Sequence, residues 1–424
     1  MWSFDLAVVK GTRDILYPET EFLFELQNKI HNTFSAYGFE EISTPIMEYT
    51  ELFKRSIGDF TDIVQKEMFT FKDRKGRDIC LRPEGTAGVI RAYIDNGFAF
   101  KSGITKLYYS GAMFRAERPQ KGRLREFHQF GCEAVGSNSP LLDAEIIKMN
   151  LELLNNIGLD NLKLKINSVG CRDCRKDYLE GLKNFLMDNY NELCDDCKVR
   201  AENNPLRVFD CKNEKCQDIY SNAPMLTDNL CESCNAHFEE VKKYLDIMNI
   251  KYEIDNKLVR GFDYYTNTVF EITTGVLGAQ NAILGGGRYN YLVEHLGGKP
   301  APAVGAAAGI ERIYIALTES NKIKPGKEKK RIFIVTAGDV DISVKLKVAD
   351  FFRNNNIPAL FSYDSKSLKS QFKEADKLKC NLVVVIGEEE LKDNKITLKD
   401  LNTGKQRQIY LDELFNNIKI IEEV

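Results

Sequence analysis

The segment FRAERPQKGRLREFHQFG places Arg115, Arg118, Lys121, Arg123 and Arg125 close together, with Phe127 two residues beyond the last arginine. Flexible cations that can grip a triphosphate, beside a ring that can stack on a base, are the parts of a nucleotide site. The competing reading is a solvated hairpin laced by ion pairs. Arg115 argues for the first, because it ends the apolar run YYSGAMFRAE, where a charge is costly unless it meets an anion or a carboxylate. Glu133 in FGCEAVG and Arg260 in KLVRGFDYY raise the same question, and pairing of such residues with one another is the structural alternative. In RPEGT, Glu84 offers an acceptor for an ammonium and Thr86 a hydroxyl, beside a glycine. Arg312 in GIERI is a helix arginine, for which an intrahelical ion pair is the plain alternative.

Other chemistries find no support. LGGGRYN, from Leu284, permits close backbone approach but has neither the P-loop lysine spacing nor the Rossmann spacing. His31, His128, His237 and His295 have no metal-motif spacing and no nucleophile partner, and His128 reads as structural. Chemistry without a covalent enzyme intermediate, such as arginine-assisted phosphoryl or nucleotidyl transfer, suits these residues better.

A second constellation is built from cysteine. Eight of the 11 cysteines fall between Cys171 and Cys234, as the pairs Cys171/Cys174, Cys194/Cys197 and Cys231/Cys234 and the looser Cys211/Cys216. Four thiol pairs predict two four-cysteine metal sites, with Zn²⁺ the default in a reducing cell and an iron–sulfur cluster the lesser option. Tyr178, Leu182, Phe185, Leu186 and Asn189 fall at helical spacing between the first two pairs, which separates those pairs by about 24 Å and forbids a shared ion. A second helix, with Phe238, Val241, Leu245 and Met248 on one face, leads from Cys234 back toward the core. These two helices predict an interleaved pairing: Cys171, Cys174, Cys211 and Cys216 in one site, and Cys194, Cys197, Cys231 and Cys234 in the other.

The elements that must position these groups follow from composition and periodicity. A chain of 424 residues with 43% hydrophobic content has core for two or three domains, and a formal charge of −3 excludes a wholesale basic nucleic-acid binder. The start has no basic leader and no stretch approaches a membrane span, so a cytoplasmic protein is expected. PETEFLFELQNKIHNTFSAYG predicts a helix opened by Pro18 and closed at Gly38. FEEISTPIMEY reads as a strand, and KLYYSGAMFRAE and REFHQFGCEAVG as an antiparallel hairpin. A helix follows over SPLLDAEIIKMNLELLNNIG, then a strand over LKLKINSVG; strand character returns in KLVRGFDYYTNTVFEITTG, and AVGAAAGIERIYIALTE reads as a small-residue helix. The expected domains are a catalytic domain over 1–170 and 250–320, an inserted helical cysteine-rich domain over 171–249, a linker at 321–330, and a small α/β domain over 331–424.

Taken together, these strings resemble the class II aminoacyl-tRNA synthetases and, within them, the bacterial histidyl-tRNA synthetases. GFEEISTPIME is similar to motif 1, FRAERPQKGRLREFHQFG to motif 2 and AVGAAAGIERI to motif 3, while LRPEGT and LVRGFDYYTNTVFE resemble the histidine-specific strings. The resemblance runs nearly end to end. It implies an α+β fold with an antiparallel sheet flanked by helices, a helical insertion near the tRNA acceptor arm, and a C-terminal anticodon-binding domain. It also implies formation of histidyl-adenylate from histidine and ATP with Mg²⁺, transfer of histidine to the 3′ end of histidine tRNA, and a homodimer joined near motif 1. By the same resemblance, Arg115 and Arg260 act on the reacting groups. Glu84, Thr86 and Gln129 receive the histidine amino end, and Glu133, Tyr264 and Tyr265 surround the imidazole. Arg123 and Arg312 hold the outer phosphates, Phe127 and Glu117 contact adenine, and Arg118 and Gln120 meet the acceptor end of the tRNA.

Three departures leave those charges untouched: Ala116 follows the motif 2 arginine, YNYLV replaces the frequent YDGLV, and motif 3 carries a run of alanines. The alternative function is a histidine-binding regulatory subunit of ATP phosphoribosyltransferase. Such synthetase-like proteins generally lack the C-terminal domain and have eroded motifs, whereas this chain keeps both.

Overall fold

The structure, a computed structural model, describes residues 7–58, 61, 63–101, 103–278, 281–323 and 330–422. The chain divides into two compact units, up to Ile323 and from Lys324. No described helix is long and apolar enough to cross a membrane.

In the first unit, helix α1 (Glu19–Ala36) follows Pro18 and buries Leu26, Ile30 and Phe34, a spacing of four that keeps them on one stripe. It ends where Gly38, at φ 77°, donates its N–H to Ser35 O (3.0 Å). Helices α2 (Thr86–Asp95), α3 (Pro140–Ile157), α4 (Arg172–Asp188), α5 (Glu232–Ile247) and α6 (Ile310–Glu319) complete the main helical set. The strands that carry the site are β1 (Thr105–Phe114), β2 (Glu126–Val135), β3 (Leu162–Ser168), β4 (Thr266–Thr274), β5 (Ala282–Arg288) and β6 (Ala303–Gly309). They lie in the order β1-β2-β6-β5-β4-β3, all antiparallel, with the two-residue strands Glu40–Glu41 and Glu253–Ile254 added in parallel at the edges.

Strand periodicity sorts the side chains to two faces. Phe130, Cys132, Ala134, Phe270, Ile272, Val304, Ala306 and Ala308 pack with α1, α3 and α5 into the main core. Phe127, Gln129, Gly131 and Glu133 of β2 alternate with these and face the other way, as do Glu271 of β4, Gly285 of β5 and Gly305 of β6. Behind the sheet, Arg288 and Asp143, both fully buried, form an ion pair (Nη2 to Oδ2 2.7 Å), and Arg288 also donates to Ser137 O and Ser139 O. That set of partners ties β5 to the start of α3.

Three elements differ from the sequence expectation. Residues 303–309 form the central strand β6, and the helix begins only at Ile310. Small side chains fit a helix as well as a strand, and pairing on both edges with β2 and β5 decides the outcome. Residues 258–265 are not strand; several of their carbonyls are taken by side chains, Leu258 O by Asn167 Nδ2 (3.0 Å), Arg260 O by Arg207 Nη1 (3.1 Å) and Tyr265 O by Arg175 Nη2 (2.5 Å). In FEEISTPIMEY, only Glu40–Glu41 and Met47–Tyr49 are strand, the two pieces being separated at Pro45.

The cysteine-bearing segment is helical, but it has no core of its own. Tyr178, Leu182, Leu186, Val208 and Tyr220 share one cluster with Tyr264, Tyr265, Val269 and Tyr289 of the sheet unit. Phe238, Val241 and Leu245 of α5 belong to the main core. The second unit holds a five-stranded sheet in the order Ala359–Phe361, Ile332–Ala337, Leu382–Gly387, Lys395–Asp400 and Gln406–Tyr410. Its first three strands are parallel and alternate with helices; the last two turn back antiparallel.

Candidate functional site

The open face of the sheet carries a strip almost without side chains, at Gly131, Gly305, Ala307 and Gly285 on successive strands. A Cβ at Gly305 would run into the Glu133 carboxylate, and one at Gly285 into the Arg260 guanidinium. Polar groups therefore line a trough whose floor is backbone.

At one end of the trough the groups are acidic and buried. Glu133 is 1% exposed and accepts hydrogen bonds from Thr86 Oγ1 (2.7 Å) and Tyr289 Oη. Burial pushes its carboxyl up to about 8, against the opposing pull of those two hydroxyls. Glu84 accepts from the backbone N–H groups of Thr86 (2.6 Å) and Ala87 (2.8 Å), and so caps α2; its pKa is also raised, chiefly by burial. Tyr264 and Tyr265 lie beside one another with ring centroids 4.7 Å apart, and both pack edge-on against Tyr289. Among the buried atoms of the described residues without a hydrogen-bond partner are Gln129 Oε1, Arg260 Nε and Tyr109 Oη. An orphaned acceptor and donor at the trough are what an incoming polar ligand satisfies. Arg260 pairs with Glu271 through Nη1 (2.9 Å).

The other end is cationic. Arg115 donates Nε to Pro83 O (2.9 Å) and lies over the Phe127 ring at 5.2 Å. Arg312 donates Nη1 to Ala282 O (2.8 Å). A carbonyl accepts the hydrogen bond without cancelling the charge. Burial lowers the pKa of both guanidiniums and the positive charge of Arg123 adds to the shift, against the opposing pull of nearby carboxylates, among them Glu117 on both. Arg123 is thus close enough to act on both Arg115 and Arg312, and such a gathering of arginines suits an anion. Arg123 itself reaches Glu117 at 3.5 Å, and Glu117 is the acid next to this cluster. Arg118 and Gln120 are exposed in the loop between β1 and β2, where Gln120 and Arg123 exchange backbone hydrogen bonds of 3.1 and 2.9 Å. The loop is braced by Arg125 N donating to Gly11 O (2.8 Å) and Ala116 N to Glu67 O (2.7 Å). His128 has a structural place, its Nδ1 2.9 Å from Glu311 Oε1.

Sequence reasoning missed Tyr289, which closes the Glu133 end, and the bare position Gly305; Gly285 falls in LGGGRYN, the string expected to permit close backbone approach. The GGGRYN string carried that signal, because adjacent glycines in a strand mark close approach. Arg82 of RPEGT has a bracing role, donating to Ala112 O (2.9 Å) and Thr44 O (2.8 Å).

The interleaved cysteine pairing is overturned. The sulfurs that gather within 4.8 Å of one another are Cys171, Cys174, Cys231 and Cys234 in one group, and Cys194, Cys197, Cys211 and Cys216 in the other. The helix argument holds for the first two pairs, which α4 keeps in separate groups. It fails for α5, which does not travel inward from a distant tip. Its apolar face lies in the core beside α3 from Phe238 onward, so its N-terminal Cys231 and Cys234 are already at the sheet.

The family model described as Histidyl-tRNA synthetase matches residues 11–174 and 191–313, and that of the Anticodon binding domain matches residues 331–420. The Histidine--tRNA ligase of Halothermothrix orenii is 46% identical, covering 98% of this chain and 99% of its own. The corresponding protein of Thermoanaerobacter pseudethanolicus is 48% identical over 97% of this chain and 99% of its own. The apo histidyl-tRNA synthetase of S. aureus superimposes with a TM-score of 0.82 at 38% identity, covering 97% of this chain and 99% of the other. An ATP phosphoribosyltransferase regulatory subunit/histidyl-tRNA synthetase from Bacillus halodurans shares the fold, with a TM-score of 0.65 at 20% identity over 91% of this chain. With full-length relatives of this identity, and both the sheet unit and the C-terminal unit matched, the chain belongs to the histidyl-tRNA synthetases, the ATP-dependent ligases that join histidine to its tRNA.

Proposed function

We propose that the two ends of the trough divide histidine activation between them. The acidic end takes the amino acid: Glu84, Thr86 and Gln129 receive the α-ammonium, and Glu133 accepts from an imidazole N–H between Tyr264 and Tyr265. A site whose buried polar groups need that partner strongly rejects apolar side chains of similar size. The cationic end takes ATP. Arg123 and Arg312 hold the outer phosphates with Mg²⁺, and adenine lies between Phe127 and Glu117.

The histidine carboxylate then attacks the α-phosphorus in line, and the bond to the pyrophosphate oxygen breaks. Arg115 and Arg260 align the carboxylate and stabilise charge on the α-phosphate, and the carboxylate needs no general base. In the second step a 3′-terminal ribose hydroxyl of the tRNA attacks the activated carbonyl and AMP leaves, with Arg118 and Gln120 meeting the acceptor end. The observation that carries this reading is the opposite charge of the two ends across a side-chain-free floor. ATP–pyrophosphate exchange across the twenty amino acids tests it: exchange with histidine alone is expected, and exchange without a histidine preference contradicts it.

Further parts of the reading are a homodimer and structural Zn²⁺ on the cysteines. Ile46 and Met47 of motif 1, with Tyr49 and Phe71 of the small sheet that Met47 joins, expose apolar surface, Met47 being 60% exposed, which favours a second copy there. Light scattering that returns a monomer would rule the dimer out. The expected compartment is the cytoplasm, where the eleven free cysteines suit a reducing environment.

A further inference from the structure

The string that supplies Arg260, Tyr264 and Tyr265 has no regular structure before Thr266, so something outside it must fix its path. The sheet unit supplies part of the constraint, through Asn167 on Leu258 O, Glu271 on Arg260 and Ile57 O on Asp263 N, and the cysteine segment with the two residues before it supplies the rest. Arg175, next to Cys174, donates Nη2 to Tyr265 O (2.5 Å) and to Val169 O (3.2 Å). Asn267 exchanges backbone hydrogen bonds with Val169 (2.7 Å) and Gly170 (2.9 Å), and its Oδ1 lies 3.3 Å from Cys234 Sγ. Asn204 donates Nδ2 to Asp263 Oδ1 (2.8 Å), and Arg207 donates to Arg260 O (3.1 Å). Asn204 and Arg207 lie in the stretch bounded by Cys197 and Cys211, two members of the second cysteine group.

The cysteine groups have the form of metal sites. A tetrahedral Zn²⁺ with Zn–S bonds of about 2.3 Å spaces its sulfurs about 3.8 Å apart. Cys171 and Cys174 Sγ are 3.6 Å apart, and Cys194 and Cys211 Sγ are 3.8 Å apart, too far for a disulfide bond. Backbone N–H groups already point at sulfur, Cys231 N at Cys174 Sγ (3.0 Å), Cys194 N at Cys216 Sγ (3.4 Å) and Asn213 N at Cys211 Sγ (3.4 Å). Such donors stabilise thiolate ligands. In the first group, Cys171 and Cys231 are the N-cap residues of the long helices α4 and α5, whose positive ends add to that stabilisation.

We propose that these are two Zn²⁺ sites that act as clamps on the histidine string: the Cys171/Cys174/Cys231/Cys234 ion holds Tyr265 and Asn267, and the Cys194/Cys197/Cys211/Cys216 ion holds Arg260 and Asp263. Metal and histidine binding are then coupled, although no cysteine touches the amino acid. The inference rests on the assignment of Arg260, Tyr264 and Tyr265 to the histidine site. Arg175 and Asn204 are positioning residues that transmit the metal's constraint.

Elemental analysis of the full chain should find two zinc ions; iron, or less than one ion, overturns the metal sites. Cys171→Ser and Cys231→Ser should lose the same single ion, and Cys197→Ser and Cys211→Ser the other; any other grouping overturns the pairing. Arg175→Ala and Asn204→Ala keep every ligand. Each should retain two ions and raise the histidine KM about tenfold, the cost of one hydrogen bond to a charged donor or acceptor, while the ATP KM stays the same. Retained zinc with an unchanged histidine KM overturns the clamp. Glu133→Gln separates the two possible failures, since it must raise the histidine KM if the site itself is rightly assigned, whatever the clamp does. Where a cysteine variant does not fold, the wild-type chain reads the coupling through linkage. Saturating histidine should slow zinc release to a chromophoric chelator, and release indifferent to histidine counts against the proposal.

Discussion

The two ends of the trough are built on opposite principles. At the histidine end the two carboxyl groups are buried and already held, Glu133 by Thr86 and Tyr289 and Glu84 by two backbone N–H groups, while Gln129 Oε1 and Arg260 Nε await a partner. At the nucleotide end Arg115 and Arg312 each donate to a backbone carbonyl, of Pro83 and Ala282, which holds the side chain in place. The difference matches what each ligand asks for. A small amino acid must be told from nineteen others, which needs a preorganised set of partners that a wrong side chain leaves unpaired. A triphosphate needs charge, and its recognition tolerates the long, exposed arginines of the loop between β1 and β2. The ion pair behind the sheet sharpens the contrast, because buried Arg288 has its carboxylate, Asp143, and is structural.

The largest expected effect breaks the nucleotide end. Arg115→Ala should lower kcat for ATP–pyrophosphate exchange by about 10²–10³, as loss of a preorganised donor to transition-state charge does. Glu133→Gln should lower kcat/KM for histidine by about tenfold and leave the ATP KM within about twofold, the loss expected for one hydrogen bond to a buried neutral carboxyl. Arg288→Met should cost about 3–5 kcal/mol in urea unfolding by stranding Asp143, without a selective change in either KM. Arg118→Ala, the smallest change, should slow transfer to tRNA a few-fold at unchanged exchange.

A pH series sharpens the histidine end further. The folded Glu133 carboxyl sits at about 8, above its ordinary value of 4.5, so the native state holds a proton that the unfolded chain releases. The contribution of Glu133 to stability therefore falls as pH rises from about 4.5 to about 8 and then levels off. Glu133→Gln carries no such proton, so its Tm should gain on the wild type across that window. A gap constant in pH would show that burial does not perturb this carboxyl.

How much of this was legible in the chain depended on the range of the interactions involved. The hairpin of β1 and β2 could be read from alternating aromatic and small residues, because strand periodicity is local, and so could the outward direction of Phe127, Gln129 and Glu133. The helical nature of the cysteine segment was equally local. What failed was non-local. The run AVGAAAGIERI hides a strand because alanine and glycine have no face, and only its partners β2 and β5 reveal it. The cysteine pairing turned on which neighbour α5 packs against, which one helix's periodicity does not encode. Tyr289 escaped notice because its partner, Glu133, lies far away in sequence.

One experiment addresses the division of the trough directly: the KM values for histidine and ATP in exchange, measured side by side for Glu133→Gln and Arg123→Ala. A crossed pattern is predicted, with Glu133→Gln raising the histidine value and Arg123→Ala the ATP value, each leaving the other within about twofold, since each side chain touches one ligand and not the other. Both variants raising both values alike would contradict the division.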